Sequence, residues 1–279
     1  MKTLIIRLSA SLLMAMLAGV AIAQESDDSP AYHPFLSDRF HLGLGGFWPD
    51  KSLEISVDGS DPAEEIDFEE DLGYDDSGWT PSLNFRWRYS NNWSLSGQYW
   101  GFDSEESVIL TDDIEWEDVI FQEGTYARSG IDFSVTRFFL GRSVWKNPGH
   151  ELGVGGGIHW LDLDIFIEGQ IESDSGTQFS HESADSSGPL PNIGAWYMYS
   201  WSPKWLVDAR LDWLSATVDE YSGGLWHAQA GIHYQISRTF GIGIAYSNFK
   251  IDLDVDESDW HGHIETRQHG PRLELTASW

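Results

Sequence analysis

Three stretches of this 279-residue chain carry residue types that could do chemistry. Asp252, Asp254 and Asp256 form a D-x-D-x-D run, an oxygen-rich spacing of the kind Ca²⁺ or Mg²⁺ accepts. An EF-hand loop would need Gly at its sixth position and Glu at its twelfth. Glu257 and His263 stand there, so at most loosely bound Ca²⁺ or Mg²⁺ is expected. His261 and His263, two apart, would share one face of a strand, with His227 and His269 as further imidazoles. Zinc needs three or four ligands in fixed geometry, and a single pair falls short of that. Phe179-Ser180-His181-Glu182-Ser183 puts a His and a Ser two apart, but a nucleophile also needs a positioned base and an orienting group. A solvated surface is the simpler reading of all three stretches, and no cofactor is expected.

The elements that position these groups read as strands. In the last eight residues Leu273, Leu275, Ala277 and Trp279 share one face, and Arg272, Glu274, Thr276 and Ser278 the other. Over 79–90, Trp79, Pro81, Leu83, Phe85, Trp87 and Tyr89 alternate with Thr80, Ser82, Asn84, Arg86, Arg88 and Ser90. A period of two over that length excludes a helix. Segments 205–213 and 226–236 repeat the pattern. Around Arg137–Arg142 and His159–Leu163 the apolar parity switches, which predicts a bulge or a rim there.

About ten strands are expected, near 40–49, 78–90, 93–103, 126–144, 151–167, 190–201, 205–217, 224–237, 239–251 and 262–279, with eight or twelve as alternatives. Short connections at 90–92, 146–150, 202–204 and 237–239 alternate with acidic ones at 50–77, 104–125, 168–189, 218–223 and 252–261. Short turns at one rim and long loops at the other are the pattern of outer-membrane barrels. The fold class is therefore all-β, a closed antiparallel transmembrane β-barrel.

Charge and composition narrow the reading. Lys2 and Arg7 precede an apolar run that ends Ala21-Ile22-Ala23, the features of a cleaved secretory signal over 1–23. A flexible lead over 24–38 and a barrel over 39–279 complete the expected organisation. No cysteine is present, which excludes a lipoprotein anchor and any disulfide. The 15 Trp, 14 Phe and 10 Tyr suit aromatic girdles at two membrane interfaces. A net charge of −29, concentrated in the long connections, repels nucleic acid. On the inward faces Arg86, Arg88, Arg210 and Arg272 can meet Asp132, Asp208, Asp212 and Glu274, as ion pairs that fill the bore.

These features together resemble the small outer-membrane barrels of the OmpA- and OmpW-like superfamily. The resemblance implies that Leu273, Leu275, Ala277 and Trp279 are read by the barrel-assembly machinery, although the usual last residue is Phe. Ten strands exceed the usual eight, and no peptidoglycan-binding domain follows. The expected protein is a non-enzymatic monomer of a Gram-negative outer membrane, serving envelope structure, surface interaction or cation binding. Its partners would be outer-membrane lipid and lipopolysaccharide. The alternatives are a hydrolase with a rim site, similar to omptins or lipid A deacylases, and a narrow channel for small or apolar solutes. For an omptin-like site, acidic pairs such as Asp75-Asp76 and Asp112-Asp113 are too common to single one out.

Overall fold

The computed structural model describes residues 32–58, 65–75, 77–173, 176–218, 221–256 and 261–279. The expected signal peptide, 1–23, and residues 24–31 lie outside the described residues. Among the described residues, fourteen strands follow one short helix, α1 (Pro34–Ser37). They are β1 (Phe40–Phe47), β2 (Asp50–Asp58), β3 (Ile66–Asp67), β4 (Thr80–Arg88), β5 (Trp93–Ile109), β6 (Ile114–Trp116) and β7 (Val119–Phe121). β8 (Tyr126–Asn147), β9 (His150–Ser173), β10 (Gly176–Ser202), β11 (Trp205–Val218), β12 (Tyr221–Gln235), β13 (Phe240–Asp256) and β14 (His261–Ser278) complete the chain.

Ten strands form a closed antiparallel ring in the order β1-β4-β5-β8-β9-β10-β11-β12-β13-β14, with β14 returning to β1 through His41↔Ser278 to Phe47↔Arg272. β2 carries the first wall strand onward along β14, from Asp50↔His269 to Asp58↔His261. The break between β1 and β2 falls at Trp48-Pro49, where proline has no N–H to give the ladder.

The acidic connections are shorter than expected, because most of their residues are strand. β9 runs to Ser173 and β10 starts at Gly176, which turns the expected loop 168–189 into paired wall. β13 and β14 likewise take up most of 252–261. A membrane-spanning β-strand needs about 9–11 residues, so β9 with 24 and β10 with 27 extend well past that length.

The parity switch has no bulge behind it. Pairing of β8 with β9 runs unbroken from Ala127↔Gly169 to Ser143↔Gly153, and shifts only at Ser143/Trp145, near the short-turn end. Arg137, Val135, Phe133 and Ile131 all point inward and are buried. What changes is the filling. Toward the short turns it is ionic, and toward the long connections it is an apolar core that includes Phe133, Leu163, Ile165, Ile251, Leu253 and Ile264.

Both mouths are stoppered. At the short-turn end, residues 32–38, the last part of the expected flexible lead, fold into the ring. Leu36 packs on Met198 and Leu206, and Asp38 takes both Nη atoms of Arg238 at 2.6 and 2.9 Å. At the other end Ile66, Phe68 and Leu72 turn back into the apolar core, joined by Ile114 and Trp116 of β6 and by Phe121 of β7.

Candidate functional site

The outer face is banded. Trp87, Trp93, Trp145, Trp201, Trp205 and Phe240 are exposed near the short turns. A second row, Trp48, Trp79, Tyr99, Trp160, Trp213, Trp226 and Tyr246, is exposed farther up. Between them the outward side chains are apolar, among them Leu44, Leu140, Val154, Ile193, Leu211, Ile232, Ile244, Leu273 and Leu275, with Leu275 71 % exposed. Trp205 and Trp213 lie eight residues apart on β11. At ~3.3 Å per residue and a tilt of ~40°, that spans about 20 Å, near the height of a lipid-facing band.

Inside that band lies a polar layer. Arg137 donates to Asp212 through Nε at 2.5 Å and Nη2 at 3.0 Å, with both side chains at most 1 % exposed. Only glycine fits at 194 on the neighbouring strand, because a Cβ there would sit 2.2 Å from Asp212 Oδ1. Arg88 pairs with Glu151 at 2.7 Å, and Ser143 donates to the same carboxylate. Asp208 holds His233 at 2.7 Å, while Glu274 accepts from Asn84 at 2.6 Å. Arg210 reaches Gln98 at 2.6 Å and lies 3.5 Å from Asp212. Arg86 has no carboxylate partner among the described residues. It donates to the carbonyl of Phe35 and to Met198 Sδ, with the Phe35 ring 4.1 Å from its guanidinium carbon. A cavity of about 100 Å³ remains among these groups, lined by Phe35, Arg86, Arg210 and His233 among others. That volume suits a few waters rather than a pore.

The expected pairing is found only for Arg210 beside Asp212: Arg88 pairs with Glu151, and Arg86 and Arg272 meet no carboxylate among the described residues. The residues expected to face inward do so apart from Asp132. That residue is exposed on the outer wall, because Ile131 and Phe133 on either side of it fill the upper core. Sequence reasoning missed Arg137, Glu151 and His159. The polar positions of 226–236 did contain the signal for His227 and His233.

His159, Asp212 and His227 each bring a ligating atom within 4.8 Å of the others, all buried. Geometry admits a metal there, but electrostatics does not. Arg137 occupies the Asp212 carboxylate and Arg210 stands beside it, so a cation would meet two guanidinium groups. The two imidazoles instead bond each other at 3.1 Å, with Asn192 and Ser247 at the ends.

The Asp252 group lies on the outer wall. His263 contacts Asp254 at 3.0 Å and Asp252 at 3.9 Å, while Lys250 sits 3.8 Å from Asp252. Asp256 pairs in register with His261. His227 is buried inside the ring and His269 bonds Tyr246, so neither joins this group. Also on the outer wall, Asp103, Asp132, Asp164 and Asp185 stand directly opposite one another across β5, β8, β9 and β10. Two rows higher His181 contacts Glu168 at 3.3 Å, and Arg128 binds the same carboxylate at 2.8 Å. Ser183 is two residues along the same face, on a strand rather than in a loop.

No protein-family model matches this sequence, and no curated protein does. Among solved structures the chain is similar to the outer-membrane protease OmpT of Escherichia coli, with 9 % identity, 91 % of this chain and 100 % of that chain covered, and a TM-score of 0.57. Ail of Yersinia pestis, the attachment invasion locus protein, has 10 % identity over 85 % of this chain and 98 % of its own, with a TM-score of 0.28. The Pseudomonas putida toluene transporter TodX has 9 % identity over 88 % and 91 %, with a TM-score of 0.33. The likeness to OmpT shows a shared fold, and at that identity the fold alone.

Proposed function

We propose that this chain is a closed, non-conducting outer-membrane β-barrel that anchors a tall acidic wall above the lipid. The carrying observation is the outer apolar band between two aromatic rows, around a bore that is ionic at lipid level and stoppered at both ends. A ring of ten strands is narrower than the 16–18 that leave an aqueous channel. Above Trp160, β9 continues for thirteen residues, roughly 30 Å of projecting wall at the same rise and tilt. Outer-membrane lipid and lipopolysaccharide would surround the band, and the acidic wall would attract Ca²⁺ or Mg²⁺ loosely, including at Asp252, Asp254 and His263. The terminal face Leu273, Leu275, Ala277 and Trp279 would serve the barrel-assembly machinery, as in OmpA- and OmpW-like barrels. The protein would act as a monomer. In planar bilayers the protein should give no steady current, and deleting residues 32–38 should leave it silent because the upper core still blocks the bore. Ohmic conductance from the intact protein would overturn the reading.

A second reading has one observation in its favour. His181 is already paired with a carboxylate, and Ser183 shares its face, which are the parts of an esterase on the outer wall. If that reading holds, an acyl ester presented in mixed micelles is hydrolysed, and Ser183→Ala and His181→Ala each abolish turnover. Hydrolysis unchanged in both variants removes it.

A further inference from the structure

We infer that the polar layer holds one small monovalent anion, bound between the guanidinium of Arg272 and the side-chain amide of Gln268. Arg272 is 1 % exposed, yet Nε, Nη1 and Nη2 all lack a hydrogen-bond partner among the described residues. Gln268 is fully buried. Its Oε1 accepts from Trp100 Nε1 at 3.0 Å, which fixes the amide and leaves Nε2 without an acceptor among the described residues. Arg210 Nε makes no hydrogen bond either, but it already faces Asp212 at 3.5 Å and is not counted here. The Arg272 guanidinium carbon lies 4.9 Å from the Phe47 ring and 5.6 Å from Trp100. Those rings pack against the cation but accept none of its N–H bonds in the plane of the group.

The charge balance points the same way. Five guanidinium groups, Arg86, Arg88, Arg137, Arg210 and Arg272, line the layer against four carboxylates. Each carboxylate is already engaged: Glu151 by Arg88, Asp212 by Arg137, Asp208 by His233, and Glu274 by Asn84. A buried, unpaired charge is costly. The unpaired Ser82 hydroxyl could accept a bond but brings no charge. Donors without acceptors, around one excess positive charge, select an acceptor-only ion of charge −1, and chloride or bromide has that chemistry.

The test follows from linkage. Folded protein in detergent is compared in chloride and in gluconate at one ionic strength. Raising chloride to ten times its Kd should shift the folding equilibrium toward the folded state about tenfold. Arg272→Met should lose that dependence, and Glu274→Gln, which removes a carboxylate from the layer, should strengthen it. Bromide-soaked crystals should give an anomalous peak beside Arg272. A wild-type equilibrium indifferent to chloride, the same dependence in Arg272→Met, or no bromide peak would each overturn the assignment. If Arg272→Met does not fold, the wild-type titration and the bromide peak decide.

Discussion

The lower and upper halves of the same strands obey opposite rules. In the lower half, Arg137 and Asp212 face in while Phe138 and Leu211 face out. A few residues farther along, Phe133 and Leu163 face in while Asp132 and Asp164 face out. The backbone does not change between the halves, since register and parity are continuous. The surroundings change instead. Where the outside is oil, the inside can be polar provided most of its charges are paired or hydrogen-bonded. Where the outside is water, the ring must carry an ordinary apolar core, to which Ile66, Phe68 and Leu72 contribute. On the proposed membrane reading, the inversion marks the upper lipid boundary, between the row of Trp160 and Trp213 and the row of aspartates.

The largest expected effect separates the two fillings. Asp212→Asn strands Arg137 and should cost about 3–5 kcal/mol, whereas Arg137→Met combined with Asp212→Leu should return near the starting stability. In the upper half Phe133→Ala should cost about 3–5 kcal/mol through its cavity, and no polar partner swap should rescue it. Reversible urea unfolding in lipid micelles measures all three. A double variant no better than the single one would mean that the lower filling is specific packing rather than paired charge.

A smaller effect tests the outer faces. Leu275→Arg, in the apolar band, should cost about 2–4 kcal/mol in a bilayer. Ser134→Arg, one row below the aspartates, should stay within about 0.5 kcal/mol, as for surface changes elsewhere. Equal costs at the two sites would place the lipid boundary elsewhere.

The lower half was legible in the sequence because one face of most strands is apolar there, as in 79–90 and 205–213. The upper half was not, although Leu161-Asp162-Leu163-Asp164-Ile165 alternates as regularly. Its apolar residues sit on the parity that is polar lower down, so the change looks like a fault in the strand. Its Asp and Ser content also reads as loop, since such residues are depleted in most strands. Asp132 was misplaced for the same reason, by carrying the lower rule past the boundary. The site was partly legible. The inward arginines follow from alternation, but pairing Arg137 with Asp212, 75 residues away, needs the register of the whole ring. The insertion of Ile66, Phe68 and Leu72 left only three apolar residues in an acidic run as its trace.

The smallest expected effect concerns the seat of that upper stopper. Glu69 accepts from the Leu53 amide at 3.2 Å, and burial pushes its carboxyl from 4.5 up to about 7. The folded state therefore holds this proton more tightly than the unfolded chain does. The stabilisation is full below about pH 4.5 and is lost as pH rises to about 7. Segment 66–75 should accordingly exchange its amide hydrogens faster at pH 8 than at pH 5, after correction for intrinsic rates. The polar layer is remote from this carboxyl, so the amides around Arg137 should show no such change. Glu69→Gln should make 66–75 insensitive to pH, since an amide needs no proton to be seated. Loosening of both halves together would instead mean that the ring opens as one unit, and that the boundary between oil-facing and water-facing wall is not also a boundary of stability.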